Sequence, residues 1–295
     1  MIVTVSGIRV PLEEEEKMLP VRLSDIFSLP GEGFPSLRVL KKSLDARRNR
    51  PPFFVYSVEV VLPDDICLPD TAEGEIKIKV AREPLGLAAF EGAKIFPAGR
   101  RLIPAGAKKV IVVGCGPAGL FAALRLAERG ISVLLLERGD PVPVRCREVQ
   151  AFWEAGTLNR ESNVHFGEGG AGTFSDGKLT SRVKNPQTGL VKETFVELGA
   201  PPDILIDAKP HIGTDILRAV VVNFRQKLLD LGCEIRFGAL VSDFLRRDGR
   251  LIGVAVNGEE EIKCDQLVLA IGQNADDTYR RLHERGVQLA PKPFA

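Results

Sequence analysis

Close cysteine pairs are missing from this chain. Its five cysteines, Cys67, Cys115, Cys146, Cys233 and Cys264, form no CxxC. That excludes the adjacent dithiol of the disulfide reductases, argues against a disulfide framework and points to a reducing cytoplasm. An excess of either charge is missing too: 40 Lys and Arg face 39 Asp and Glu, net +1. No global attraction to nucleic acid or acidic membranes follows from such a balance. Long apolar runs are absent. The longest uncharged stretch, Val110 to Leu124, is broken by glycine and proline, so no membrane span is expected. The opening MIVTVSGIRVPLEEEE lacks a basic region followed by an apolar run, so no signal peptide is expected. Histidine is scarce, and His211 and His283 lack metal-ligand spacing with each other or with cysteine, so no metal site is expected.

What is present bounds the fold. A length of 295 residues fits two domains or one large one, and a hydrophobic content of 44% can build a core. The most informative segment is Lys109 to Arg138. Val110 to Val113 reads as a buried strand running into Gly114-Cys115-Gly116-Pro117-Ala118-Gly119. Leu120, Ala123, Leu124 and Ala127 then form a helical stripe ended by Gly130, and Ile131 to Leu136 is a second buried strand delivering Glu137. Strand, glycine turn, helix, strand and acid stand in the order of a dinucleotide-binding βαβ unit. Gly114 permits the turn, Gly116 lets backbone approach a pyrophosphate, and Gly119 allows the helix to pack tightly on the sheet. Pro117 suits the first helical turn, whose free N–H groups and dipole face the phosphates. Glu137, 18 residues past Gly119, is placed to accept both hydroxyls of a ribose. Cys115, inside the turn, reads as a packing residue rather than a nucleophile.

The rest of the chain divides around this unit. Residues 1–96 read as a small α+β module with strands at Ile2 to Val10, Val55 to Leu62 and Glu75 to Val80. Between the first two lies the basic segment Ser36 to Arg50, whose plain reading is a solvated basic helix face. Residues 97–107, rich in Pro, Gly and Arg, read as a linker, and residues 108–295 as the nucleotide-binding domain. Further on, a helix capped by Thr214 buries Leu217, Val220, Val221, Phe224, Leu228 and Leu231, and Glu234 to Phe237 is a short strand. Arg247-Asp248-Gly249-Arg250 signals a hairpin, Gln266 to Ala270 a strand entering Ile271-Gly272, and Asp276 to Arg285 a helix. A second GxGxxG, from Gly167 to Gly172, is followed by Thr-Phe-Ser-Asp-Gly rather than a helical stripe. It reads as a loop bringing backbone N–H groups to a ligand, or as an ordinary surface loop.

These segments together resemble a known family, the FAD-dependent dehydrogenases also called NAD(FAD)-utilising dehydrogenases. The resemblance rests on GCGPAGL at 114–120, LLLERG at 134–139, SNVHFGEGGAGTFSDGKLTSR at 162–182, LVLAIGQNADDTY at 267–279 and SLDARRNRPPFFVYSVEV at 43–60. The fold it implies is α/β: a Rossmann-like FAD/NAD(P)-binding domain with a parallel sheet, an inserted partial substrate domain and a small N-terminal α+β domain. It implies that Gly114, Gly116, Pro117, Ala118 and Gly119 approach the FAD pyrophosphate, that Glu137 binds the adenosine ribose and that Arg138 borders it. It places Val241 beside adenine, Ala270 and Gly272 on a second glycine-bearing strand end near FAD, and Gly169, Gly170, Ala171 and Thr173 along the flavin or ribityl side. Lys178 falls near the isoalloxazine, where a cation would stabilise reduced flavin, or is a solvated loop lysine. His165 precedes the glycines at a spacing too short for covalent flavin attachment.

The expected function is an FAD-dependent oxidoreductase working with NAD(P)H or an organic small-molecule substrate, with no residue standing out as general acid or base. Two alternatives stay open: a non-catalytic FAD-binding module, and an RNA-associated flavoprotein suggested by Lys41, Lys42, Arg47, Arg48 and Arg50. Net charge near neutrality counts against the latter. Within the resemblance, the chain is expected to be an N-terminal piece of a longer protein, because no glycine-rich segment that closes over the flavin follows Gly272.

Overall fold

A computed structural model describes residues 1–14, 16–29, 34, 36–47, 50–64, 66, 68–69, 76–81, 108–180, 183, 185 and 187–291. The expected linker 97–107, Arg48, Cys67 and residues 292–295 lie outside the described residues. The chain divides into two compact units, one of Met1–Lys94 with Lys178–Val196 and Pro201–His211, the other of Ile95–Gly177 with Glu197–Ala200 and Ile212–Ala295.

In the first unit, β1 (Ile2–Pro11), α1 (Leu19–Phe27), β2 (Leu37–Asp45), β3 (Phe53–Val61) and β4 (Lys77–Ala81) form an antiparallel sheet in the order β2-β3-β1-β4. Alternation decides which face is buried. Val3, Val5, Ile8 and Val10 of β1 pack with Tyr56, Val58 and Val60 of β3 and with Leu19, Leu23 and Phe27 of α1. Each such side chain, fully buried, contributes about 1.5–3 kcal/mol. Within the basic segment Ser36 to Arg50, read as a helix face, Leu37–Asp45 is a strand instead. Leu37 and Val39 pair with Val60 and Val58 and pack against the core, and a bulge between Val39 and Lys41 resets the phase. That bulge hides the period of two from a simple count. Helix α1 was not legible, because it is short and starts without a side-chain cap.

A helix α4 (Gln187–Glu197) belongs, but for its last residue, to the first unit. The second unit is built on β5 (Lys109–Val113), α2 (Pro117–Ala127), β6 (Ser132–Leu136), α3 (Val142–Ala155), α5 (Thr214–Asp230), β7 (Glu234–Arg236), β8 (Val241–Arg247), β9 (Arg250–Val256), β10 (Glu260–Lys263), β11 (Gln266–Leu269) and α6 (Asp276–Glu284). The parallel sheet runs β11-β5-β6-β7, and β8 to β10 form a separate antiparallel sheet between β7 and β11. The fold is thus α/β and Rossmann-like. Strands β5 and β6 are buried on both faces, as parallel strands are. Asp248 and Gly249 both take positive φ, of 51° and 77°, and make the expected hairpin turn. Thr214 does not cap α5: the cap is Gly213, and the Thr214 hydroxyl donates to the Ser175 carbonyl at 3.0 Å.

Chain order reverses between β5 and β11, since β6 follows β5 on one side and β11 arrives on the other. Such a switch point leaves a crevice beyond the carboxyl ends of the strands. The first unit makes its own stability test. Leu23, fully buried under the sheet, is expected to cost about 2–5 kcal/mol on Leu23→Ala, read as a lowered urea midpoint with an unchanged slope.

Candidate functional site

The crevice is a cavity of about 400 Å³. Its walls come from the β5–α2 turn (Gly114, Gly116, Pro117, Ala118), the end of β6 (Glu137), the glycine-rich loop (His165, Phe166, Gly167, Gly170, Ala171) and the segment after β11 (Ala270 to Asn274). Segments far apart in the chain converge at one spot because β5, β6 and β11 are neighbours with their ends aligned.

The turn is shaped by contacts that only glycine allows. Gly114 sits at φ +101°, and a Cβ there would collide with the Ala270 carbonyl. A Cβ on Gly119 would collide with the Gly114 carbonyl, so α2 can lie this close to the turn only without one. Gly116 differs. A Cβ there would meet only the Gly170 Cα, at 3.9 Å, so its missing side chain serves no packing and leaves bare backbone against the cavity. Pro117 opens α2, and the first intrahelical bond is Leu120 N–H to the Gly116 carbonyl at 2.9 Å. The N–H groups of the first turn, lacking such partners, and the positive end of the helix dipole are therefore at the cavity. A Cβ-free backbone and a helix N-terminus on one wall suit the pyrophosphate of a dinucleotide.

Glu137 is almost wholly buried and binds three backbone donors. Its Oε2 accepts from Cys115 N at 2.7 Å, and its Oε1 from Gly139 N and Gly167 N, each at 2.9 Å. The carboxylate has about four acceptor sites, so it ties the glycine turn, the β6–α3 turn and the glycine-rich loop together with one site remaining toward the cavity.

The glycine-rich loop is held from beneath. Arg145 of α3, with no exposed surface, donates to the carbonyls of Asn163 (2.7 Å), Val164 (2.8 Å) and Glu168 (2.6 Å). Burial pulls its pKa down to about 10. The Glu168 carboxylate, equally buried, accepts from Val142 N at 2.7 Å and Arg225 at 3.3 Å. Burial raises its pKa, against the lowering effect of those two donors. The loop docks on the turn through Gly169 N–H to the Cys115 carbonyl at 2.8 Å. Burial pushes the Cys115 thiol well up, which keeps it protonated and fits a packing role.

Of the residues singled out from the sequence, Gly114, Gly116, Pro117, Ala118, Glu137, Gly170, Ala171, Ala270 and Gly272 meet at the cavity. Arg138 and Val241 line a smaller adjoining pocket with Glu137, Ala239 and Thr278. Arg138 stacks over Phe166 at 4.4 Å and is ion-paired to Glu161 at 2.7 Å and Asp277 at 2.5 Å. Four residues stand elsewhere. Gly119 is inside the helix, against the turn. Gly169 is spent on the Cys115 carbonyl, and the buried Thr173 hydroxyl donates to the Glu168 carbonyl at 2.8 Å. Lys178 belongs to the first unit, where it bridges His211. The cavity also holds residues that sequence reasoning passed over: Phe166, Gln273, Asn274 and Tyr279, whose hydroxyl donates to the Gly272 carbonyl at 3.1 Å. The quoted stretch 267–279 contained three of them, but only its glycine carried a recognisable role.

Comparison with known proteins agrees with this geometry. Residues 109–144 match the family model of the FAD dependent oxidoreductases (DAO). Residues 1–61 match a domain of unknown function, DUF8436. An uncharacterized protein of Clostridium beijerinckii is 37% identical over 296 residues, covering 100% of this chain and 53% of its own length. The digeranylgeranylglycerophospholipid reductase of Haloferax volcanii is 26% identical over 181 residues, covering 56% of this chain and 36% of its own. The chain therefore spans about half, or less, of the curated relatives it matches. Among solved structures, Thermovibrio ammonificans THI4 matches with a TM-score of 0.41 at 18% identity over 62% of this chain and 64% of that one. No helix among the described residues is long and apolar enough to cross a membrane.

Two substitutions separate packing from binding. Gly116→Val is expected to leave the circular dichroism spectrum and thermal midpoint close to the parent's while abolishing retained flavin, because its side chain enters the cavity and not the protein. Equal flavin occupancy would refute the placement. Glu137→Ala orphans three buried N–H groups, each at about 1–3 kcal/mol, and is expected to lower both the urea midpoint and the flavin content. An unchanged midpoint would show that the carboxylate does not hold the three segments.

Proposed function

We propose that this chain, whose residues 109–144 match the FAD dependent oxidoreductases, is the FAD-holding part of an oxidoreductase in which flavin exchanges a hydride with NAD(P)H or a small organic substrate. The observation that carries this reading is the wall of the crevice where Gly116 and the start of α2 stand bare beside Glu137. Bound there, FAD would supply two-electron redox chemistry, and the protein binds and orients it. The start of α2 would take the pyrophosphate, and the free acceptor site of Glu137 would take a ribose hydroxyl. The adjoining pocket of Val241 and Arg138 would take the adenosine end. Gly170 and Ala171 border the cavity on the loop side. Arg145 and Glu168 hold that loop in place.

The described residues contain one nucleotide-binding βαβ unit, β5-α2-β6, so a nicotinamide would dock transiently at the flavin rather than occupy a dedicated domain. We place the reaction in a reducing compartment: Cys115, Cys146, Cys233 and Cys264 are free thiols.

The test is anaerobic reduction. The chain, reconstituted with FAD, is expected to show flavin absorbance that NADH or NADPH bleaches and air restores. Flavin that binds but resists both nicotinamides and a panel of organic reductants would point to a structural or sensory cofactor. Failure to bind FAD at all would remove the reading.

A further inference from the structure

The first unit has a face that the oxidoreductase reading does not use. Its strand order, β2-β3-β1-β4, buries one side of the sheet against α1. Directly paired residues on antiparallel strands project to the same side, so the register identifies what stands on the other. One cross-strand row reads Arg38, Glu59, Thr4, Lys79 from edge to edge. The next row reads Lys41, Ser57, Ser6, Lys77. Both rows are basic at each edge; the middle of the first holds Glu59 and Thr4, that of the second two serines. All four edge cations are exposed, and four strands set the two edges roughly 15 Å apart.

The third and fourth rows differ, running Ser43, Val55, Arg9 and Asp45, Phe53, Pro11. Arg9 pairs with Val55, and Phe53 with Asp45. The Phe53 ring carries two guanidinium groups, Arg9 at 5.1 Å and Arg50 at 5.0 Å. Asp45 binds Arg47 at 2.5 Å and Arg50 at 2.7 Å. Among the described residues, seven cations thus share this end and face with two carboxylates, of which Glu59 is buried and Asp45 is already doubly paired. At the centre of the first row the Thr4 hydroxyl oxygen is buried without a hydrogen-bond partner. Overall neutrality conceals this asymmetry, because it averages the face with the acidic stretch around Glu13, Glu14 and Glu16.

We infer that this sheet face binds single-stranded RNA. The cationic edges match a phosphate backbone in sign. The Ser57 and Ser6 hydroxyls of the second row offer partners for ribose 2′-hydroxyls, and the arginine planes on Phe53 offer stacking surfaces for unpaired bases. A lipid surface fits less well, since the first two rows present no large apolar side chain to insert.

The experiment uses the whole chain and fluorescence anisotropy with a labelled oligouridylate. Binding is expected at low salt and should weaken steeply between about 50 and 200 mM salt. With four phosphate contacts, the slope of log K against log salt should be about −3, at about 0.7 per contact. Lys41→Glu combined with Lys79→Glu should weaken binding at least about tenfold and shrink the slope by about 1.4, whereas Lys41→Arg with Lys79→Arg should restore both. Flavin content, which resides in the other unit, should not change in either variant. No binding at low salt overturns the inference, and so does binding that the double charge reversal leaves intact. Tighter association with phosphatidylglycerol vesicles than with the oligouridylate overturns it in favour of a membrane.

Discussion

One carboxylate organises the nucleotide crevice. Glu137 gathers the N–H groups of Cys115, Gly139 and Gly167, which belong to the turn after β5, the turn after β6 and the glycine-rich loop. Three segments of the chain converge on two oxygen atoms. Charge-assisted bonds of this kind are stronger than neutral ones, and burial removes the competing water. The same constraint explains the glycines around it. Gly139 and Gly167 come so near each other that a Cβ on Gly139 would meet the Gly167 Cα at 2.7 Å. The two donors can reach one oxygen only across that close approach.

A second layer supports the first. Arg145 and Glu168 are fully buried yet have no exposed ligand surface of their own. Their partners are backbone groups and Arg225, so they define where the loop lies without touching what it would hold. The division is clean: Glu137, Gly116 and Gly170 face the cavity, while Arg145, Glu168 and Thr173 sit behind it. A buried Arg in a loop-bearing helix is therefore evidence of loop placement before it is evidence of chemistry.

Much of the crevice was legible because its signals are local. The glycine turn, the α2 stripe and the acid after β6 lie within one continuous stretch, and each has a steric or electrostatic reason that needs no tertiary knowledge. The antiparallel hairpin at Asp248-Gly249 was legible for the same reason. What was not legible was non-local. Lys178, read as a flavin-side cation or as a solvated loop lysine, is counted with the other unit. Thr173 and Gly169 sit in the right loop and face inward, which depends on Arg145, a residue whose burial no pattern announces. The segment Ser36 to Arg50 was misread because a single bulge breaks its alternation, and the four-strand rows it takes part in exist only once β1, β3 and β4 are paired.

The pairing of β11 with β5 has a consequence in time. Asp265, just before β11, binds the backbone of Lys109 across 156 residues of sequence, and the Ala270 carbonyl that fits against Gly114 arrives with it. At typical synthesis rates that stretch takes roughly 8–30 s to emerge. During that interval the β5 edge that β11 will cover has no partner strand, so the nascent turn can form its helix but not its floor. A ligand that needs both sides of the switch point is captured late, and an exposed apolar edge must be kept from other chains until then.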